Sequence, residues 1–384
     1  MFKKLIAMTL AIGCFSLSFS CKKKPQEESL PLVEIKNVIL LIGDGMGPNQ
    51  IKAGELYKRE KLYMQKISQA VKVDTNSYYG DTTDSAAAAT ALATGTLTSN
   101  GFVGINARGE ELTTLVDIAH ELGKRTGVIT TEELYGATPM GFSAHSDSRN
   151  NSEDLMYSAA RTSNVNLFAS YTLPSSNKYM IDEFVENGYE VVSHPADISE
   201  STSDKIFGDY RILAAAESMT ISDMALALDG LVSEALDYLC KDEDGFFLMV
   251  EGAHIDHGGH QNKIEYMLSE LLAFDDMVKY VVEWSKKRRD TLVLVTADHE
   301  TGGLMLNPDA KYGELFDYDY DTNTYNNFRW STTGHTNTKV WLFVHGAKID
   351  FKAYSTFEDK ALIKNADIFD IVSEYLAGEK LGNQ

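Results

Sequence analysis

The chain has 384 residues, 43% of them hydrophobic and only 7 of them proline, which favours one large α/β domain over a string of small domains. Acidic residues outnumber Lys and Arg by 56 to 35, and the formal net charge of -21 argues against nucleic-acid binding through the general surface. A protein this acidic needs a local positive site to bind an anionic small molecule, and bound metal ions would supply one.

The N-terminal residues are typical of an export signal. Two lysines precede an apolar stretch over residues 5–19, which ends at Ser20-Cys21. The alternative is a membrane-spanning anchor, but the stretch contains serines and is shorter than the ~20 residues that a bilayer requires. We predict a signal peptide over residues 1–20, with cleavage before Cys21 and a lipid on that cysteine, as in bacterial lipoproteins.

The segment after Cys21 is charged and contains two prolines. We predict a solvated tether over residues 21–35 and a folded domain over residues 36–384. The mature protein is then exported to the periplasm or cell envelope and touches a membrane only through the lipid. Because Cys240 is the single free thiol left in that case, we expect no internal disulfide.

Short apolar runs rich in β-branched residues predict buried strands, several of which end next to polar residues. These runs cover residues 38–42, 127–130, 246–250 and 291–296. Helical patterns lie between the strands, over residues 112–122, 221–239 and 266–286.

Because strands and helices alternate, we predict an α/β fold with a largely parallel central sheet and helices on both faces. Ligands bind such sheets in the crevice outside the carboxyl ends of the strands. The chain places Asp44, Glu251, Asp298 and His299 there, so we expect the active site at that edge. Residues 309–328 predict an insertion loop over the site.

Asp84-Ser85 precedes an alanine-rich run, which predicts a helix that begins at Ser85. The free amide hydrogens and positive dipole of a helix N-terminus suit a phosphate group. A serine before an alanine run is most often a plain helix cap. Only neighbouring metal ligands would make Ser85 a nucleophile.

Histidines cluster around Asp256, with His254, His257 and His260 within seven residues. An Asp and a His four positions apart can present oxygen and nitrogen ligands to one ion, whereas the alternative is an exposed polar turn. Asp298-His299 and His335 are weak signals alone and gain weight from their positions beside apolar strands. The remaining histidines are interpreted as structural or surface residues: His120, His145, His194 and His345.

The sequence resembles the alkaline phosphatase family from residue 37 to about residue 376, because six separated motifs occur in the family's order. The motifs are Gly43-Asp44-Gly45-Met46-Gly47, Asp84-Ser85-Ala86, Ala137-Thr138-Pro139 with Ser148-Arg149, Glu251-Gly252 with Asp256 and His260, Asp298-His299, and His335-Thr336. The resemblance implies the fold of that family and makes residues 36–384 its catalytic domain.

The resemblance also implies an activity, namely hydrolysis of small phosphate monoesters to an alcohol and inorganic phosphate through a phosphoserine on Ser85. Arg149, oriented by Asp84, would hold two phosphate oxygens. The family is usually homodimeric, so a homodimer is expected.

Two zinc ions and one magnesium ion per chain are implied in the same way. One zinc ion would bind Asp256, His260 and His335, and the second Asp298, His299 and Asp44. Magnesium would bind Asp44, Thr138 and Glu251. Imidazole nitrogens suit zinc, and an all-oxygen set completed by water suits magnesium.

The chain departs from its relatives at two positions. Gly136 stands where they usually carry Asp or His in support of the magnesium shell, so we expect a loose third site that Gly136→Asp would tighten. His257 stands where some bacterial members have Lys, and we expect it to contact substrate phosphate through a bound water.

Two other functions compete with this interpretation. A phosphodiesterase or sulfatase of the same superfamily could use the same zinc scaffold, but Arg149 and the complete magnesium set favour monoesters. A catalytically silent lipoprotein that captures phosphate would be expected to lose its nucleophile or a zinc ligand, and none is missing.

Overall fold

The structure is a computed structural model that describes residues 33–170, 178–209 and 221–382. The predicted signal peptide, the lipidation of Cys21 and most of the predicted tether lie outside these ranges. Within them the strands are β1 Val33–Glu34, β2 Asn37–Gly43, β3 Gln69–Asp74, β4 Arg125–Thr130, β5 Leu167–Ser170, β6 Glu190–Val192, β7 Ile206–Asp209, β8 Phe246–Gly252, β9 Thr291–Thr296, β10 Glu300–Thr301, β11 Leu304–Leu306, β12 Tyr318–Asp319, β13 Thr324–Tyr325, β14 Phe328–Trp330, β15 His335–Thr336, β16 Val340–His345, β17 Leu362–Lys364 and β18 Leu381–Gly382.

Helices connect most of these strands. They are α1 Pro48–Lys58, α2 Ser85–Thr94, α3 Leu115–Glu121, α4 Ala137–Gly141, α5 Ser152–Thr162, α6 Lys178–Glu186, α7 Pro195–Glu200, α8 Ile221–Leu239, α9 His254–His260, α10 Ile264–Arg288, α11 Phe351–Tyr354 and α12 Asp367–Leu376, with a 3₁₀ helix at Met64–Lys66. Among the described residues, no helix combines the length and apolar character needed to cross a membrane.

A ten-stranded sheet in the order β17-β3-β16-β9-β2-β8-β4-β5-β7-β6 forms the centre of the domain. Its neighbouring strands pair in parallel except around β16, which is antiparallel to both β3 and β9. The predicted largely parallel sheet is confirmed. The sequence pattern did not reveal the reversed strand, because a buried strand reads the same in either direction.

Helices cover both faces of this sheet. Helix α10 contacts β2, β8, β9 and α8, whereas α12 contacts β2, α2 and α3. The apolar residues 38–42 of β2 are accordingly 0% exposed. A strand buried on both faces needs apolar side chains throughout, which is why β2 shows no alternation of polar and apolar residues.

The register of the central strands brings their polar ends to one edge. In the order β9-β2-β8-β4, Ile42 of β2 pairs with Thr296 and Glu251, and Glu251 pairs with Thr130. Asp44 follows β2 directly, and Asp298 lies two residues after the end of β9. Parallel pairing therefore gathers residues that are more than 200 positions apart in sequence at the centre of the sheet edge.

Helix boundaries differ slightly from those predicted. The helix predicted at residue 112 begins at Leu115, because Thr114 and Asp117 form a reciprocal capping box that fixes its start. The helix predicted over residues 266–286 extends over Ile264–Arg288 and ends where Arg289 adopts a left-handed conformation with φ 67°.

The segment over residues 309–328 is more ordered than a loop, since β12 and β13 pair within it. Gly313 N donates to Leu56 O at 2.9 Å, and Tyr312 OH donates to Glu55 Oε1 at 2.9 Å. Phe316 also packs edge-on against Tyr57. These contacts attach the segment to the C-terminal part of α1. The active-site edge of the sheet lies at the other end of this helix, where Asp44 precedes it.

Candidate active site

Ser85 is the first residue of α2 and is almost fully buried, with 4% of its surface exposed. Asp84 precedes it in extended conformation, and its Oδ1 accepts a hydrogen bond from Ala87 N at 3.0 Å. The predicted helix start is confirmed. Ser85 Oγ lies 3.2 Å from His299 Nε2, so the hydroxyl faces a neighbouring imidazole.

Asp84 also connects this helix start to Arg149. Its Oδ2 accepts a hydrogen bond from Gly101 N at 3.0 Å and one from Arg149 Nη1 at 3.3 Å. Arg149 N donates to Gly101 O at 2.8 Å. The Arg149 side chain is 35% exposed. The side chain therefore lies at the edge of the site. Its contact with Asp84 orients the guanidinium, and an anion can reach it from solvent.

The first cluster of metal-ligand side chains consists of Asp256, His260 and His335, with a ligand atom from each within 4.8 Å of the others. His260 Nε2 lies 3.2 Å from Asp256 Oδ2, and His335 Nε2 lies 3.6 Å from Asp256 Oδ1. The two Nε2 atoms are 3.1 Å apart. The i,i+4 pair on α9 and His335 of β15 thus converge, which is the grouping that the family resemblance implied.

The other ring nitrogens show how both histidines are oriented. His260 Nδ1 contacts Thr333 O, and His335 Nδ1 contacts Thr83 O at 2.9 Å. A carbonyl oxygen accepts only, so each Nδ1 carries a proton, and in the neutral form that a metal ligand requires each ring turns an Nε2 lone pair inward. Without a metal ion, the hydrogen bond to Asp256 raises the pKa of His260 to about 9. Two lone pairs and a carboxylate that face one point fit a bound zinc ion, and the backbone carbonyls are its outer supports.

The second cluster consists of Asp44, Asp298 and His299, again with ligand atoms within 4.8 Å. His299 Nε2 lies 3.1 Å from Asp298 Oδ2 and 3.6 Å from Asp44 Oδ1. Asp298 Oδ1 accepts from Gly45 N at 3.1 Å. Asp44 Oδ1 is buried without a hydrogen-bond partner among the described residues, and Asp298 Oδ2 is buried beside the His299 ring, as oxygens that bind a cation would be.

Gly45 allows this close approach of backbone and carboxylate. Its φ is 71°, and a Cβ added there would lie 2.7 Å from Asp256 Cα. Both the left-handed conformation and the packing therefore require glycine.

Thr301 couples the two clusters, and the sequence reasoning missed it. Its Oγ1 donates to Asp256 Oδ1 and lies 3.2 Å from His299 Nδ1. The rings of His299 and His335 also stack, with centroids 3.6 Å apart. The sequence offered one indication of this role, namely that a hydroxyl residue stands two positions after His299, in a segment that otherwise contains acidic residues.

A third set of oxygens lies beside the second cluster, at Asp44, Thr138 and Glu251. Thr138 Oγ1 and Glu251 Oε1 are buried without a hydrogen-bond partner among the described residues, while Glu251 Oε2 accepts from Thr130 Oγ1. Burial raises the pKa of Glu251 to about 7. Burial and the adjacent Asp298 and Asp256 raise the pKa of Asp44 well above its usual range. An all-oxygen set with mutual repulsion fits magnesium.

The space beside Gly136 is occupied, which corrects one premise of the sequence prediction. A Cβ built on Gly136 would lie 2.0 Å from Glu132 Oε1. Glu132 was not identified from the sequence. Its Oε2 lies 3.6 Å from His257 Nε2, so the imidazole expected to approach substrate phosphate faces this carboxylate.

The fold and the site together define an α/β protein with adjacent sets of metal-ligand side chains beside a serine at a helix N-terminus. The family model of alkaline phosphatase matches residues 35–176 and 175–338. The chain belongs to the alkaline phosphatase family.

Curated relatives agree with this assignment. The chain is 34% identical over 307 residues to alkaline phosphatase 3 of Bacillus subtilis (strain 168), which covers 76% of this chain and 65% of the relative. It is 28% identical over 353 residues to the alkaline phosphatase of Escherichia coli (strain K12), which covers 74% of each. The chain therefore spans just under two thirds of the Bacillus subtilis relative.

The alkaline phosphatase of the Antarctic bacterium TAB5 has a similar solved structure. The TM-score is 0.74 at 27% identity, over 90% of this chain and 100% of that one. A variant of the TAB5 enzyme is described with Mg bound in a site called M3.

Proposed function

We propose that this chain hydrolyses phosphate monoesters to an alcohol and inorganic phosphate, with Ser85 as the nucleophile that forms a covalent phosphoserine. The observation that carries the proposal is the position of Ser85 Oγ. It lies at the start of α2, 3.2 Å from an imidazole of one metal-ligand cluster. A plain helix-cap serine would not need that neighbour.

We propose two zinc ions, at Asp256, His260 and His335 and at Asp44, Asp298 and His299, and one magnesium ion at Asp44, Thr138 and Glu251. When bound, these ions supply positive charge that lowers the pKa of the Ser85 hydroxyl and stabilises negative charge on phosphate oxygens. The convergent Nε2 atoms and the buried unpartnered oxygens support this distribution of ligands. The magnesium in the TAB5 variant supports the third assignment.

The remaining roles belong to side chains and backbone of the chain itself. Ala87 N already donates to Asp84 Oδ1, so the amides of Ser85 and Ala86 are the ones at the start of α2 that are suited to phosphate oxygens. Arg149 presents a planar fork to the same group, and Asp84 fixes its direction through the 3.3 Å contact. The 42% exposed ring of His257 is proposed to approach the phosphate through water.

We propose further that the mature protein is exported, tethered to the cell envelope through a lipid on Cys21, and homodimeric. The charged N-terminus, the apolar stretch and the position of Cys21 support the export and the lipid. Family membership supports the dimer.

The rival activity is hydrolysis of phosphodiesters on the same scaffold. A comparison of 4-nitrophenyl phosphate with methyl 4-nitrophenyl phosphate separates the two, since the leaving group is the same. We expect kcat/KM to favour the monoester by orders of magnitude. Ser85→Ala should lower monoester turnover by several orders of magnitude, and Ser373→Ala, which removes a hydroxyl from α12, is the matched control. Preference for the diester would refute the proposal.

A further inference from the structure

Gly136 leaves room for a neighbouring side chain. Its φ of -53° and ψ of 151° suit any residue, so the backbone does not demand glycine. A Cβ there would lie 2.0 Å from Glu132 Oε1 and 2.8 Å from Glu132 Cδ. The Glu132 carboxylate therefore fills the volume into which a side chain at position 136 would project.

The chain holds Glu132 beside the third set of oxygens. Thr130, the last residue of β4, donates its hydroxyl to Glu251 Oε2 and accepts a hydrogen bond from Glu132 N at 3.2 Å. One hydroxyl thus links the backbone of Glu132 to the Glu251 carboxylate. The Glu132 side chain is only 16% exposed and turns inward rather than into solvent.

The charged groups around Glu132 favour the binding of a cation. Glu251, Glu133 and Asp256 repel its carboxylate, while Arg149 attracts it and the imidazole of His257 lies 3.6 Å from its Oε2. Glu251 Oε1 and Thr138 Oγ1 are both buried without a hydrogen-bond partner among the described residues. Carboxylates held together in a protein interior are stabilised by a bound metal ion.

We propose that Glu132 supplies the third cation site with the carboxylate that the chain lacks at Gly136, beside Asp44, Thr138 and Glu251. The inference rests on the proposed magnesium site. We call this pair an exchange: Glu132 provides the carboxylate, and Gly136, which has no side chain, leaves free the volume that this carboxylate occupies. Magnesium usually keeps several bound waters, and a nearby carboxylate that orients them strengthens the site.

This exchange reverses the expectation drawn from the sequence. Gly136→Asp would put a second carboxylate into the volume that Glu132 already occupies, so it would displace Glu132 and weaken magnesium binding. Glu132→Ala vacates that volume. The double variant Glu132→Ala/Gly136→Asp would then return a carboxylate from position 136.

Isothermal titration of magnesium into the zinc-loaded full chain tests the exchange, with zinc and magnesium content measured on the same samples. We expect Glu132→Gln to raise the magnesium Kd by ~10–100-fold, the range typical for loss of an outer-shell partner. Glu133→Gln removes the same charge one residue further on and should leave the Kd near the wild-type value. Gly136→Asp should weaken binding, and the double variant should bind more tightly than Glu132→Ala. Zinc content should stay constant throughout.

A wild-type Kd in Glu132→Gln, or tighter binding in Gly136→Asp alone, would overturn the inference. Absence of magnesium binding by the wild type would overturn both the inference and the magnesium assignment. Turnover of 4-nitrophenyl phosphate by the zinc-loaded protein, measured in parallel, reports on the proposed function separately. The failure of one proposal is thereby distinguished from the failure of the other.

Discussion

Asp84 shows how much one side chain does at this site. Its Oδ1 caps α2 through Ala87 N, and its Oδ2 accepts from Gly101 N and Arg149 Nη1. Helix start, loop and guanidinium therefore share one carboxylate. The sequence predicted the helix start at Ser85, because that signal is local, and the link from Asp84 to Arg149 came with the family resemblance. It offered Ser85 as the cap, whereas the capping side chain is that of Asp84. The contact to Gly101 depends on a loop conformation that no local pattern encodes.

Asp84→Ala and Asp84→Asn should separate these roles. Alanine removes the cap and should lower the free energy of unfolding by about 1 kcal/mol, whereas asparagine keeps a capping oxygen. Both variants lose the charge that orients Arg149, so both should weaken inhibition by inorganic phosphate. Urea unfolding and inhibition constants measure the two effects. Unchanged phosphate inhibition in both variants would contradict the role given to Arg149.

Glu132 marks the limit of sequence reasoning at this scale. The glycine at position 136 indicated that a side chain was missing there. Glu132 and Gly136 are separated by a turn, and only the conformation of that turn shows that the Glu132 carboxylate lies beside Gly136. A side chain from elsewhere can fill a gap in a motif. Thr301 was missed for a different reason, because a single hydroxyl two residues after His299 is too weak a pattern to identify a bridging side chain.

At the scale of elements, the strand ends were predictable and the short strands were not. Continuous apolar runs defined β2, β8 and β9, and β9 covers the predicted residues without change. The two-residue strands β10 and β15 pair only with each other, with Thr301 opposite His335. This pairing brings His335 to the first cluster, and two residues are too few to show periodicity.

His335→Ala should selectively affect the first cluster, because Asp44, Asp298 and His299 keep their ligand atoms together. The loss of zinc affinity should exceed the ~10–100-fold typical for an outer-shell partner. His120→Ala, an exposed residue at the end of α3, is the matched control. Metal analysis after dialysis and monoester turnover report the effect. Full zinc retention and turnover in His335→Ala would return this residue to a structural role.

Glu270 gives α10 a pH-dependent contribution to stability. Burial raises its pKa to about 7, and its side chain is 8% exposed. Its neighbour His254, 3.9 Å away, has a pKa lowered to about 4 by burial and does not neutralise it at neutral pH. A carboxyl whose pKa is raised on folding binds its proton more tightly in the native state. Its contribution therefore declines as pH rises from about 4.5 through about 7.

Glu270→Gln should accordingly leave stability similar at pH 4 and raise it at pH 9, by up to ~3 kcal/mol. The exposed Glu265→Gln on the same helix is the control and should change stability little at either pH. Urea unfolding at the two pH values measures the difference. A destabilised Glu270→Gln at pH 9 would show that the buried carboxylate is stabilised by a partner when ionised.

At the scale of the whole molecule, the central sheet sets the position of the site. Its four central strands gather carboxylates from distant parts of the chain at one edge, where burial and mutual repulsion raise the pKa values of Asp44 and Glu251. The parallel fold and the edge were predictable from alternating strands and helices. The antiparallel β16 and the attachment of residues 309–328 to α1 depend on tertiary packing and were not.

Removal of metal should abolish monoester turnover and lower the melting temperature together, because the carboxylates would repel one another across the empty site. The chelated protein should lose further stability as pH rises through about 7, where Glu251 ionises. Zinc alone should restore less activity than zinc with magnesium. Calorimetry and turnover before and after chelation test this, and full activity in metal-free protein would refute the metal assignment.

Trapping of phosphate on Ser85 tests the proposed function most directly. The wild-type chain is mixed with a phosphate monoester, quenched at mildly acidic pH, digested and analysed by mass spectrometry, with Ser85→Ala and Ser373→Ala treated alike. We predict phosphate on the peptide that contains Ser85 in the wild type and in Ser373→Ala, and turnover lowered by several orders of magnitude in Ser85→Ala at unchanged zinc content. Undiminished turnover by Ser85→Ala, or phosphate trapped on another residue, would contradict the account.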